Sequence, residues 1–176
     1  VTGISVGAIR AKIEAAQASR DEDAARALDE IPLSGLDRDV AEDVAQARLD
    51  AWLALFRERV LRDGAVPTPF ELPPYWTEKV ILSARDDLSR VTARLRAAIA
   101  DKRALAEQDD DADGALQRTE SLAVVAQYAL GEIAFDDVEP SDAEARFQLG
   151  DVLYRERQFE RAIDTWRPIL DDKRVI

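Results

Sequence analysis

An all-α fold is what this sequence predicts, and three observations carry the prediction. Gly and Pro are scarce, at 7 each in 176 residues. Aromatic residues make up only 6%, while an apolar fraction of 47% is rich in Ala. Apolar residues also recur three and four positions apart over long segments, the spacing that lines one face of a helix.

The elements follow in order. Ser5 is placed to cap a first helix to about Ser19, with Ile9, Ile13 and Ala16 on one face. A short helix is expected over about Asp21 to Glu30, ended by the turn from Pro32 to Gly35. Asp37 then opens a longer helix to about Arg62, whose Val40, Val44, Ala47, Ala51 and Leu55 form a stripe broadened by Trp52 and Phe56. The segment from Gly64 to Trp76 holds four of the seven prolines, so it breaks the helical run and divides the chain into residues 1–63, 64–76 and 77–176. Its Phe70, Leu72, Tyr75 and Trp76 suit an extended strap packed on neighbouring helices, or a peptide-like docking segment. Thr77 is expected to cap a long helix to about Gln108, buried along Val80, Ala84, Leu88, Val91, Leu95, Ala98 and Leu105. Three more helices are expected near 117–135, 142–157 and 160–172.

Composition removes several function classes. Without Cys there is no disulfide framework and no thiolate site, and without His there is no imidazole acid–base chemistry or Ser-His-Asp triad. The net charge of −12, from 36 acidic against 24 basic residues, repels nucleic acid and anionic lipid, so neither is an expected partner. No apolar run is long enough for a membrane span, so no membrane insertion is expected. Met is absent, which reads as a processed chain or part of a longer one. GISVG (Gly3 to Gly7) fits the nucleophile-elbow pattern, yet no strand precedes it and the triad's His does not exist, so Ser5 is read as a helix cap. Adjacent carboxylates such as Asp86 with Asp87, or Asp136 with Asp137, do not face each other on a helix and read as solvated.

The acidic stretch from Asp109 to Glu120 reads in two ways. It matches D-x-D-x-D-G-x5-E at Asp109, Asp111, Asp113, Gly114 and Glu120, with Ala115 placed to give a carbonyl and Gln117 a water-mediated contact. The types suit calcium, because alternating carboxylates converge on the ion, Gly allows the bend and the last Glu closes the site. Its flanks, Gln108 and Ser121, are polar where such loops are usually apolar, so a solvated acidic linker is the other reading.

In the last third, AQYALGEIAF (Ala126 to Phe135) and ARFQLGDVLY (Ala145 to Tyr154) match in chemical type 19 residues apart, too close for a full helical hairpin repeat. They read as successive helices with similar packing needs. The stretch from Ala143 to Trp166 resembles a tetratricopeptide repeat (TPR), clearest over 143–172. The matching positions are Phe147, Leu149, Gly150, Leu153 and Tyr154, then Phe159, Ala162 and Trp166. Small Gly150 and Ala162 let two helices approach closely. Pro168 departs from the pattern and should kink the second helix by removing the bond to the Asp164 carbonyl. The resemblance implies antiparallel helical hairpins in a right-handed solenoid, with one Pro-rich extended segment. It also implies a non-catalytic scaffold for protein–protein interaction whose groove takes a protein or peptide segment. The matching groove residues are Phe147, Asp151, Tyr154 and Arg155, although Phe147 and Tyr154 could equally serve to pack against the preceding helix. The open C-terminal face implies downstream repeats, a partner or self-association. The phrasing is similar to TPR proteins of bacterial envelopes, which implies an extracytoplasmic location.

Overall fold

The computed structural model describes residues 4–61, 78–105 and 110–171. Among them the secondary structure is helical throughout, with seven α-helices and one 3-10 turn and no strand. The Pro-rich segment, Asp109 and the last five residues lie outside the described residues.

Helix α1 (Val6–Ser19) begins where Ser5 accepts a hydrogen bond from the Ala8 amide at 3.2 Å, so the serine is a cap, as expected. Helix α2 (Glu22–Asp29) is capped in the same manner by Asp21. Helix α3 (Arg38–Arg59) also starts after the expected residue, but the Asp37 side chain makes no capping bond. Helix α4 spans Glu78–Leu105. Each helix packs mainly on its neighbour in sequence, with α1 also reaching α3. The α3 stripe is buried as expected, with Trp52, Leu55 and Phe56 fully enclosed against Val91, Leu95 and Ile99 of α4. A second apolar cluster joins Ile9 and Ala16 of α1 to Leu28, Ile31, Val44 and Ala47. Helices α3 and α4 run antiparallel: Arg38 at one end donates to the Leu105 carbonyl, and Arg59 at the other pairs with Asp87 at 3.5 Å.

Polar chemistry ties α2 into this pair. Arg48 of α3 is only 6% exposed, and its guanidinium donates to the carbonyls of Leu28, Asp29 and Ile31, where α2 ends and its dipole is negative. Asp29 in turn accepts from the Trp52 indole at 3.0 Å and from Arg94 of α4 at 3.1 Å. At the other end of α2, Glu22 takes both Arg59 and Arg90 at 2.8 Å.

Two expectations are corrected in the C-terminal part. Helix α5 covers Asp110–Ala129, starting about seven residues earlier and ending six earlier than the sequence suggested. Acidic residues favour a helix N-terminus, and the Ala, Leu, Gln and Arg that follow are good helix formers, so the helix absorbs the acidic stretch despite Gly114. The second correction concerns direction. Helices α4 and α5 are antiparallel, with Arg103 on Glu120 and Arg85 on the Leu130 carbonyl. Helix α6 (Ala143–Arg155), however, runs parallel to α5: Ser121 bonds Ser141 just before α6, and Tyr128 meets Glu156 just after it. The return path is the connection from 130 to 142, which includes a 3-10 turn over Phe135–Asp137. The expected unbroken series of antiparallel hairpins is therefore interrupted there. The two echoed segments share a direction but not a conformation: Gly131 ends α5 at φ 80°, whereas Gly150 lies inside α6.

Candidate functional site

Helix α7 (Phe159–Asp171) folds back on α6 and completes a hairpin. Asp142 starts α6 by accepting from the Ala145 amide at 2.9 Å. The turn back passes through Arg157, held at φ 64°, with the Gln158 amide bonding the Leu153 carbonyl. A non-glycine residue in that region carries a cost of about 1 kcal/mol, which the fixed turn offsets. Ala145, Leu149, Val152 and Leu153 bury one side of α6, and Ala162 and Thr165 bury the matching side of α7. Pro168 sits within α7, which continues through it to Asp171, so the expected kink does not end the helix.

The hairpin closes at Gly150. A methyl group there would stand 2.1 Å from Nε1 of Trp166, so only glycine leaves the indole its place. The indole N–H donates to the Phe147 carbonyl at 3.2 Å. Gly150→Ala is therefore expected to displace Trp166 and lower stability by about 1–3 kcal/mol, even though alanine favours the helix. Urea unfolding followed beside tryptophan fluorescence would check both effects.

The four predicted partner-binding residues are brought together. Phe147, Asp151, Tyr154 and Arg155 fall within eight positions of one another on one side of α6, and Asp151 pairs with Arg155 at 3.0 Å. Phe147 and Tyr154 are each 54% exposed. Their rings pack on Trp166 of the following helix, at 6.4 and 5.9 Å between centroids, and Tyr154 also meets Phe159 edge-on at 5.2 Å. Sequence reasoning left Ile163 and Leu170 out of this surface, yet they stand 51% and 69% exposed along the same face of α7 as Phe159. The available signal was that α7 carries more apolar positions than one buried face can use: Phe159, Ala162, Ile163, Trp166, Ile169 and Leu170.

The calcium pattern is placed differently from expectation. Asp111, Asp113, Ala115, Gln117 and Glu120 all fall within the range of α5, while Asp109 lies outside the described residues. Gly114 is not in the left-handed region that a loop bend would use. The Ala115 carbonyl accepts from the Thr119 hydroxyl at 3.1 Å. Glu120 is held by Arg103 at 2.6 Å and Arg96 at 3.4 Å. Burial resists its ionisation, but those two arginines outweigh it and hold the carboxyl below its ordinary range. Among the described residues no group of three or more acidic side chains is gathered to hold a metal.

Among the described residues no helix is long and apolar enough to cross a membrane. Compared with family models, with curated proteins and with solved structures, the chain matches none.

Proposed function

We propose that the protein is a non-catalytic helical scaffold that binds a segment of another protein on the aromatic side of the α6–α7 hairpin. The observation that carries this reading is the exposure of Phe147 and Tyr154, joined through Trp166 into one patch. Large aromatic rings left more than half in water are unfavourable in a free monomer and are the residues that dominate binding energy once covered. Beside them lies the Asp151–Arg155 ion pair, whose carboxylate is the more exposed partner. The resemblance of 143–172 to a TPR supports the same reading, since those four residues match that family's groove positions.

Affinity capture with the immobilised chain, from an extract of the cells that make it, tests the proposal. Tyr154→Ala should reduce capture of the bound protein about tenfold or more, the effect of losing an aromatic anchor. Circular dichroism should stay unchanged, because the side chain is exposed. Undiminished capture would count against the patch as the binding surface.

A further inference from the structure

We propose that the outer side of the hairpin seats a single amphipathic helix with a basic edge, supplied by another polypeptide. The inference rests on the scaffold reading above and names the chemistry of its partner. Phe159, Ile163, Trp166 and Leu170 follow one another at intervals of four, three and four residues. On a helix they fall within an arc of about 60° and run for about 16 Å. Ala162 and Thr165, which fix α7 in place, lie about a quarter turn away, so most of the stripe is spare. Phe147 and Tyr154 of α6 flank it, and Tyr154 reaches Phe159. The result is a long, narrow, apolar floor two helices wide, the form that receives one further helix ridge-into-groove. An added strand has nothing to pair with here, because backbone groups within a helix already bond one another.

Charge selects the edge of that helix. Of the exposed charged residues near the floor, Glu144, Glu160 and Asp171 stand against Arg157, while Arg167 and Asp164 pair with each other at 3.3 Å. The chain as a whole carries −12. Four aromatic rings add faces that attract cations, a contact this fold makes elsewhere, with Arg161 4.6 Å over Phe135. A partner helix with an apolar ridge bordered by Lys or Arg satisfies floor, rim and rings together. A second copy of the chain would bring one acidic rim against another, at net −12 on each side.

The test uses the full chain and three synthetic 18-residue peptides: an amphipathic helix of Leu and Lys, a scramble of the same composition, and an amphipathic helix of Leu and Glu. Calorimetry should show one Leu–Lys helix per chain, bound at least tenfold more tightly than the scramble, and no binding of the Leu–Glu helix. The double variant Ile163→Gln, Leu170→Gln alters only exposed side chains and should weaken the Leu–Lys helix at least tenfold with circular dichroism unchanged. Equal binding of the scramble, or an unaffected double variant, would overturn the inference, since either would mean charge attraction alone. Sedimentation showing a dimer that the double variant dissolves would overturn it in favour of a second copy. If the double variant leaves both peptide and natural capture intact while Tyr154→Ala abolishes capture, the helix seat fails and the scaffold reading survives.

Discussion

Arg48→Ala is expected to destabilise the protein by about 3–5 kcal/mol, the range for breaking a buried charged network on one side. The guanidinium is enclosed and serves three carbonyls at the end of α2, beside the carboxylate of Asp29 and, at 3.4 Å, that of Asp101. Removing it leaves acceptors without donors in a place water reaches poorly, and leaves Asp29 with only Trp52 and Arg94. Burial already pushes the Asp29 carboxyl above its ordinary range, opposed by the Trp52 bond and by the charges of Arg94 and Arg48. Without Arg48 that opposition weakens, so the deficit should shrink as mild acid protonates Asp29. Urea unfolding at neutral and mildly acidic pH reads both parts, and the thermal midpoint should fall on the order of 10 °C at neutral pH.

Glu22→Gln should remove the largest acid-sensitive contribution identified in the fold. In the native chain Glu22 ionises at about 2 against an ordinary 4.5, first because of the Arg90 hydrogen bond, which outweighs burial, and then through Arg59 and the charges of both arginines. The folded value lies below the unfolded one, so the unfolded chain binds more protons between them. The stabilisation is therefore complete above about pH 4.5 and lost as pH falls towards 2, and the gap corresponds to about 3 kcal/mol. The variant should be less stable than the native chain at pH 7 and should converge with it near pH 2. Parallel stability curves at all pH values would show that the arginines contribute nothing specific at this site.

How far the sequence spoke for the fold depended on distance along the chain. The helical character, the Ser5 cap and the buried stripe of α3 are local patterns and were legible. The acidic stretch was not: ligand spacing and helix-starting aspartates use the same letters, and the arginines that occupy Glu120 come from 17 and 24 residues earlier. The contact between Glu22 and Arg90 spans 68 residues and leaves no trace in either segment. The echoed Leu-Gly pairs show the limit most directly, since Leu130-Gly131 ends a helix and Leu149-Gly150 continues one. What differs is Trp166, which needs the space above Gly150 and has no counterpart over Gly131, where an Arg85 nitrogen would be the nearest atom to an added methyl. At the candidate site Phe147 and Tyr154 were singled out by the resemblance to a TPR, and both are exposed on α6. Ile163 and Leu170 were not, because apolar residues at helical spacing ordinarily mark a core.

The dependence of α7 on α6 also sets how the molecule comes apart. Helix α3 is gripped on several sides, by α1, α2 and α4, whereas α7 packs chiefly on the one helix that precedes it. Opening the last helix therefore sacrifices one interface, centred on Gly150 and Trp166, while opening the third would sacrifice three. The C-terminal helix is thus tied to the fold through a single extensive seam, and its detachment is expected to be governed by that seam.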